Sequence, residues 1–223
     1  MAEVFDCDQA GELVTGLRQA RLAIARKNVV LIPTDTRYAL AVNAFSPAAV
    51  QTLREVKGWN AQTPPQVLVP GLPTLAALAS EVHPLVQTLI DEFWPGPLTV
   101  IVPAGESLQW DLGRNRGTVA LRMPADEVAL ALLADTGPLA VSQATPPGQQ
   151  LSHDPNQILE VFGEQIAVAL CQGPRESREP STIVDATALA LPDGRLRLAR
   201  EGALPREALR EVLGEDVFLP ETR

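Results

Sequence analysis

The stretch Val29-Val30-Leu31-Ile32-Pro33-Thr34-Asp35-Thr36 decides the fold class of this 223-residue chain. Its four apolar residues, mostly β-branched, are typical of a strand buried on both faces, and Pro33 ends the run. Hydroxyl and carboxylate side chains follow directly at the end of this predicted strand. Ligands usually bind at such a strand end in an α/β protein, although Thr and Asp also favour plain turns and helix caps.

Helical and extended patterns alternate on both sides of this strand. Apolar residues recur at helical spacing between positions 13 and 24, and Ser46-Pro47 predicts the N-cap and first residue of the next helix. Further along, three apolar strands follow one another without a predicted helix between them, at 166–171, 182–186 and 196–200. This order predicts an α/β fold with a mixed sheet, rather than a purely parallel doubly wound one. We expect one domain over residues 1–223.

The composition excludes several classes of function. The formal net charge of −9 removes any long-range attraction of the whole molecule to nucleic acid or to an anionic membrane. Aromatic residues make up 4% of the chain and Tyr38 is the only tyrosine, so a stacking surface for bases is not expected. No apolar run approaches the ~18 residues of a membrane helix, and the acidic N-terminus is unlike a signal peptide. We therefore expect a cytoplasmic protein.

Scarce residue types limit the chemistry further. Two cysteines and two histidines are too few for a disulfide framework or a multi-histidine metal centre, though a carboxylate-rich Mg²⁺ site remains open. Lysine occurs only as Lys27 and Lys57, and neither follows the glycine that a Walker A loop requires. The chain also lacks a Gly-x-Gly-x-x-Gly sequence. Any nucleotide would therefore bind without a common phosphate loop.

Four polar residues at the predicted ends of elements are candidate anion ligands. Arg122 and Arg200 end strands, where a planar guanidinium can clamp a carboxylate or phosphate, or simply form a surface ion pair. Lys57 ends a helix, where it can neutralise a phosphate or complement the helix dipole. Ser181 precedes a strand, where its hydroxyl can bind an anion or cap a turn. The residues alone leave both alternatives open at each position.

Seven segments, in their order along the chain, resemble the YrdC/Sua5/YciO family over about residues 10–213. They are Pro33-Thr34-Asp35-Thr36-Arg37-Tyr38, Lys57-Gly58, Phe93-Trp94-Pro95-Gly96-Pro97-Leu98-Thr99, Val119-Ala120-Leu121-Arg122-Met123-Pro124, Pro138-Leu139-Ala140-Val141-Ser142, Pro180-Ser181-Thr182-Ile183-Val184-Asp185 and Arg200-Glu201-Gly202-Ala203. The Phe-Trp-Pro-Gly-Pro-Leu-Thr and Arg-Met-Pro segments are specific to that family. The resemblance implies a YrdC-like twisted mixed β-sheet with packed helices around a concave ligand cleft. Residues 214–223 would be a short tail, without the second domain of longer Sua5 members.

Active members of this family are threonylcarbamoyl-AMP synthases, a kind of nucleotidyltransferase. The resemblance implies that ATP, with Mg²⁺, is the substrate that reacts with L-threonine and bicarbonate to give threonylcarbamoyl-adenylate and pyrophosphate. A downstream tRNA threonylcarbamoyl-transferase would use that product for the t6A modification of adenosine 37. Because a small adenylate is handed over, we expect neither stable binding of nucleic acid nor contact with a membrane.

The resemblance also implies a role for individual residues. The threonine and carbamoyl group would be bound by Thr34, Tyr38, Ser142 and Ser181. The nucleotide would be bound by Thr118, Ala144 and Arg200. Lys57 and Arg122 would be the catalytic cations, because adenylylation builds negative charge on phosphorus and on the leaving pyrophosphate. No protein ligand for a metal is identified.

The chain departs from the family pattern within these same segments. Arg37 and Ala39 stand where Val and Gly are usual, and Trp59 replaces the second cation of the usual Lys-x-Arg. The usual Lys-Pro-Leu becomes a Thr-Pro-Pro sequence at 63–65. The Ser-x-Asn-x-Ser-Gly signature reads Ser142-Gln143-Ala144-Thr145-Pro146-Pro147-Gly148, which lacks the amide and a hydroxyl. Arg37 is a candidate for a compensating cation.

Three functions fit this pattern. The first is a threonylcarbamoyl-AMP synthase with a modified site. The second is a degenerate paralogue that keeps the fold and a nucleotide or RNA-associated binding role without synthase turnover. The third is a carbamoyl-phosphate-processing domain, which is disfavoured because the acyl-phosphatase and zinc-finger segments of such enzymes are missing.

Overall fold

The computed structural model describes residues 1–60, 63–105, 110–146, 152–174, 179–214 and 216–219. The strands within these residues are β1 (Glu3–Asp6), β2 (Val30–Ile32), β3 (Ala39–Asn43), β4 (Gln66–Leu68), β5 (Leu98–Pro103), β6 (Thr118–Arg122), β7 (Leu139–Gln143), β8 (Val168–Cys171), β9 (Thr182–Asp185) and β10 (Arg197–Arg200). The α-helices are α1 (Ala10–Ala25), α2 (Pro47–Lys57), α3 (Leu72–Leu78), α4 (Pro84–Phe93), α5 (Glu127–Thr136), α6 (Pro155–Phe162) and α7 (Arg206–Leu213). A 3₁₀ helix spans Thr187–Ala190.

The strands form one mixed sheet in the order β1-β8-β2-β3-β7-β4-β6-β5-β9-β10. The pairs β1–β8, β2–β8, β4–β6 and β5–β9 are parallel. The pairs β2–β3, β3–β7, β4–β7, β5–β6 and β9–β10 are antiparallel. The predicted mixed sheet is therefore confirmed.

Helices cover both faces of the sheet, so its central strands are buried on both sides. Within β2, Leu31 packs into the core under α2, α3, α4, α6 and α7, whereas Val30 and Ile32 pack into the core under α1 and α5. This arrangement explains why the sequence of β2 is a continuous apolar run rather than an alternating one. Among the described helices, none has the length and hydropathy needed to cross a bilayer.

Local signals set the helix boundaries that were predicted. Ser46 caps α2 by accepting a hydrogen bond from the Ala49 N–H at 3.4 Å, and Pro47 is its first residue. Gly58 ends the same helix in the left-handed conformation, with a φ of 59°. This cap fixes where Lys57 projects from the end of α2.

The sequence-based prediction missed two strands. In β1, only two apolar residues stand between acids, and the strand pairs along one edge only, with β8. In β3, two of five residues are alanines, which are weak strand formers on their own. Pairing with β2 and β7 imposes the extended conformation of β3, and this tertiary cause leaves no local pattern.

Candidate active site

The turn between β2 and β3 holds two buried threonine hydroxyls. The Thr34 Oγ1 accepts the N–H of Arg37 at 3.0 Å and lies 3.1 Å from the Thr36 Oγ1. Both threonines are about 4% exposed. Thr34 thus closes its own turn, and the same turn lines a cleft over the middle strands of the sheet. The turn and the ligand-site interpretations of this segment are compatible.

Arg122, at the end of β6, is fixed from three directions. Its Nη2 forms an ion pair with Asp35 at 2.6 Å, its Nη1 donates to Thr36 Oγ1 at 2.9 Å, and its Nε donates to the Gly96 carbonyl at 3.0 Å. The alternative of a surface ion pair is wrong, because Arg122 is only 4% exposed. Burial lowers the pKa of the guanidinium, and the neighbouring Asp35 carboxylate opposes this effect. Two of its five N–H groups remain for a ligand.

The Trp-Pro-Gly-Pro segment has the structural role of presenting Gly96 to Arg122. Trp94 is buried and its Nε1 donates to the Leu98 carbonyl at 2.7 Å. The Gly96 N–H in turn donates to the carbonyl of Met123, the residue after Arg122, at 2.9 Å. The segment therefore acts on the site through the backbone, by holding the end of β6.

A chain of polar side chains crosses three strands and ends at Ser181. The Gln66 Nε2 donates to Thr99 Oγ1 at 2.8 Å, and Thr99 Oγ1 lies 2.8 Å from Ser181 Oγ. Arg200, at the end of β10, donates to the Ser181 carbonyl from Nε at 3.1 Å and from Nη2 at 2.8 Å. Gly202 must stay small here, since a Cβ on it would lie 2.2 Å from the Pro180 carbonyl oxygen. Ser181 is thus oriented from both sides.

Arg37 and Tyr38 link the turn to β7 and to the end of β8. Arg37 Nη1 donates to Gln143 Oε1 at 3.0 Å. Burial lowers the Arg37 pKa, and the charge of Glu179 raises it. The buried Tyr38 hydroxyl accepts a hydrogen bond from the Gln172 N–H at 2.9 Å. It donates one to the Gly173 carbonyl at 2.7 Å. Arg37 therefore brings a further cation into the cleft.

Lys57 lies beside the end of β7, where α2 stops. Its Nζ donates to the carbonyl of Gln143 at 2.9 Å and to the carbonyl of Thr145. The rings of Trp59 and Phe162 are centred 5.6 Å and 5.9 Å from the same ammonium. Lys57 is 5% exposed, and burial lowers its pKa to about 8. Lys57 therefore does more than complement a helix dipole, because it spans from α2 to the strand that lines the cleft.

The structure brings most, but not all, of the predicted site residues together. The cleft is lined by Thr34, Thr36, Arg37, Tyr38, Ala39, Gln66, Leu68, Arg122, Val141, Ser142, Gln143 and Ser181. Arg200 and Lys57 lie one contact behind this lining, through Ser181 and Gln143 respectively. Ala144 is buried and its N–H donates to the Tyr38 carbonyl at 3.0 Å. Thr118 begins β6, four residues before Arg122, and its hydroxyl donates to the Asn115 carbonyl at 2.7 Å.

Sequence reasoning did not select three polar residues at this site: Gln66 and Gln143, which line the cleft, and Thr99, which is buried against Ser181. Each lies within or at the end of a strand, where an isolated polar residue gives little signal. Gln143 and Thr99 both belonged to segments already singled out, the first to the one that begins at Ser142 and the second to the one that begins at Phe93. The position of Thr99, directly after Leu98 at the start of β5, could have marked it as a candidate.

The charges of two arginines at this cleft, Arg37 and Arg122, act on a third, Arg200. Burial lowers the pKa of Arg200, and the positive charges of Arg37 and Arg122 lower it further. The carboxylates that oppose these charges are Asp35 beside Arg122 and Glu179 near Arg37. Together with Lys57, the cleft holds an excess of positive charge within an acidic protein. It therefore suits an anionic ligand with more than one negative group.

The described residues contain no cluster of three or more His, Cys, Asp or Glu side chains that could hold a metal ion. The Asp35 carboxylate is already engaged, since it accepts from Arg122 and from the Ala125 N–H at 3.0 Å. A resident Mg²⁺ site made of protein carboxylates does not fit this part of the chain. Any Mg²⁺ held by the described residues would have to arrive with the phosphate oxygens of a nucleotide.

The fold and the cleft together define an α/β protein with a positively charged cleft on a mixed sheet. A model of the Sua5/YciO/YrdC family, described as "Telomere recombination", matches residues 23–202. The chain therefore belongs to the Sua5/YciO/YrdC family.

Relatives and solved structures agree with this assignment. A Mycobacterium tuberculosis protein, provisionally named threonylcarbamoyl-AMP synthase, is 40% identical over 97% of this chain and 97% of its own length. A Pyrococcus abyssi Sua5 crystallised with L-threonine is 32% identical, with a TM-score of 0.82 over 92% of this chain and 59% of that one. A variant of that Sua5 has a TM-score of 0.89 at 30% identity, over 99% of this chain and 62% of that one. The chain thus spans about three fifths of the Pyrococcus abyssi protein.

The residues that depart from the family pattern have definite positions in the structure. Trp59 stacks near the Lys57 ammonium, so an aromatic face stands where a second cation is usual. Ala39 is 6% exposed and lines the cleft. The Thr145 hydroxyl is buried and has no hydrogen-bond partner within the part of the chain that the structure describes. Pro147 lies outside the described residues.

Proposed function

We propose that this chain is a threonylcarbamoyl-AMP synthase, which makes threonylcarbamoyl-adenylate and pyrophosphate from L-threonine, bicarbonate and ATP. The observation that carries the proposal is the convergence of Arg37, Arg122 and Arg200 on a cleft lined by the hydroxyls of Thr34 and Ser181. Its named relatives and the L-threonine complex of Sua5 support the same reaction class.

The reaction makes demands that this cleft can meet. The threonine nitrogen attacks the bicarbonate carbon, a C–N bond forms and water is lost. An oxygen of the resulting carbamate then attacks the α-phosphorus of ATP. The bond from the α-phosphorus to its bridging oxygen breaks, and pyrophosphate leaves. Two anions, the carbamate and the triphosphate, must therefore approach each other, and positioned cations offset their repulsion.

We assign the threonine end to the hydroxyl-rich side of the cleft. The two N–H groups of Arg122 that remain after its three bonds suit the threonine carboxylate. Ser181, fixed by Thr99 and Arg200, offers a hydroxyl already oriented towards this end. Thr34, Tyr38 and Ser142 complete this end. Preorganised donors of this kind need no rearrangement when the ligand arrives.

We assign the nucleotide end to Lys57, with Thr118, Ala144 and Arg200. The Lys57 ammonium is held by carbonyls of the β7 end, so it lies next to Gln143 of the cleft lining. Mg²⁺, when bound to the triphosphate, supplies charge neutralisation there. The product would go to a tRNA threonylcarbamoyl-transferase for t6A formation in the cytoplasm, without stable binding of nucleic acid by this chain.

The experiment that tests this proposal is pyrophosphate release from ATP by the purified protein. The proposal predicts release that needs both L-threonine and bicarbonate, and that falls at least ten-fold in Arg200→Gln. Arg197→Gln is the matched control, because Arg197 lies on the same strand with its side chain 58% exposed. No release at high protein concentration would instead favour the binding-only paralogue, to which the Trp59 and Ala144 departures point. Release that does not need L-threonine would contradict the synthase proposal without supporting that paralogue.

A further inference from the structure

Arg54 is a buried cation that neither the fold nor the site described above uses. It is 6% exposed, and its Nε and Nη2 have no hydrogen-bond partner in the part of the chain that the structure describes. Among the same residues, no carboxylate forms an ion pair with it. Most buried donors in proteins are satisfied, so a buried guanidinium with two idle donor atoms points to a missing ligand.

The position of Arg54 places that ligand beside Lys57. Arg54 and Lys57 are three residues apart on α2, so they lie on one face of the helix, with their Cβ atoms about 5–6 Å apart. Both are buried, together with Leu53 and Val50 on the side of α2 that packs against β3 and β7. Lys57 reaches from this face to the carbonyl of Gln143, a residue of the cleft lining.

A second idle group lies next to Lys57. The Thr145 carbonyl accepts from the Lys57 ammonium, while the Thr145 hydroxyl is buried without a partner within the described residues. The ring of Trp59, centred 5.6 Å from the same ammonium, carries no positive charge. The Thr145 hydroxyl is therefore an unused polar group close to Lys57, and the unused donors of Arg54 lie on the same face of α2, one helical turn before Lys57. Two adjacent cations and a hydroxyl match a multivalent oxyanion such as a polyphosphate.

We propose that Arg54 is a second polyphosphate-binding cation, which contacts the pyrophosphate portion of ATP beside Lys57. This inference rests on the proposed function for the identity of the nucleotide. Arg54, within α2, supplies a second positive charge. Trp59, which follows the end of α2 and stands where a cation is usual in the family, supplies none.

The test is calorimetric titration of inorganic pyrophosphate and, separately, of L-threonine into the wild-type protein and Arg54→Gln. We expect pyrophosphate affinity to fall about ten-fold or more and L-threonine affinity to change less than two-fold. Arg54→Lys should lose less affinity than Arg54→Gln, because it keeps the charge. Arg18→Gln, at an exposed arginine of α1, is the control for loss of one positive charge and should leave both affinities unchanged.

Unfolding of the ligand-free proteins separates a binding role from a structural one. Arg54→Gln should be as stable as the wild type or more stable, because it removes an unsatisfied buried charge. Pyrophosphate affinity within two-fold of wild type would overturn the proposal, and so would an Arg54→Gln protein that is destabilised or fails to fold. Pyrophosphate affinity could fall in Arg54→Gln and not in the Arg18→Gln control, while the wild type shows no threonine-dependent turnover. In that case the Arg54 assignment stands and the synthase proposal falls. Normal turnover with unchanged affinity in Arg54→Gln would refute only the Arg54 assignment.

Discussion

Lys57→Met should make the ligand-free protein more stable while it removes turnover. Burial lowers the Lys57 pKa from 10.5 to about 8, and at 1.36 kcal/mol per pKa unit the buried charge costs roughly 3 kcal/mol. The two aromatic rings beside the ammonium offset about 1 kcal/mol of this. The substitution also loses the hydrogen bonds to the Gln143 and Thr145 carbonyls, which reduces the expected stabilisation by about 1 kcal/mol more. We therefore expect a net stabilisation of about 1 kcal/mol at neutral pH.

The sign of the pH dependence provides the sharper test. Because the Lys57 pKa is lower in the folded state than in the unfolded state, the unfolded chain binds more protons between about pH 8 and 10.5. The stability of the wild type therefore rises with pH through this window, by up to about 1.4 kcal/mol per pH unit. Lys57→Met lacks this gain, so its advantage at neutral pH should disappear or reverse at about pH 9.5.

Urea unfolding followed by tryptophan fluorescence, at about pH 7 and about pH 9.5, measures both effects. Lys27→Met is the matched control, since Lys27 is the other lysine and is exposed. The stability difference between this control and the wild type should not change with pH. A Lys57→Met protein that is less stable than wild type by the same amount at both pH values would refute the reasoning.

Three further substitutions test the supports of the cleft. Asp35→Ala leaves the buried Arg122 charge uncompensated and should lower the free energy of unfolding by about 3 kcal/mol in urea; an effect below about 1 kcal/mol would mean that the pair is solvated. Tyr38→Phe leaves two backbone groups without their hydroxyl partner and should cost about 1–2 kcal/mol in the same assay, whereas no change would show that water replaces it. Gly202→Ala introduces a Cβ that meets the Pro180 carbonyl, so the affinity for L-threonine measured by calorimetry should fall; wild-type affinity would show that Ser181 is not positioned from this side.

The sequence predicted those parts of the fold that have a local cause. Ser46-Pro47 marked a helix start that the structure contains, because a cap and an N1 proline act within one turn. The buried strand at Val29–Ile32 was predicted from its apolar run. By contrast, β1 and β3 are extended because they pair with neighbouring strands, and their own residues do not show a strand pattern.

The candidate site was predictable where a residue ends an element and less so within one. Arg122 was found because it ends a strand, but its burial depends on Asp35, which lies 87 positions earlier in the chain. Gln143 accepts from Arg37 across 106 positions, so no spacing rule could reveal it. Arg54 reads as a polar position of an amphipathic helix, and only its burial without partners distinguishes it.

The fate of the bicarbonate carbon shows whether this cleft joins L-threonine and bicarbonate to AMP. The purified protein would be incubated with ATP, Mg²⁺, L-threonine and ¹³C-labelled bicarbonate, and the adenylates would be analysed by mass spectrometry. We expect a threonylcarbamoyl-adenylate that carries one ¹³C atom and is not formed when L-threonine is omitted. Pyrophosphate or AMP formed without any labelled adenylate would contradict it.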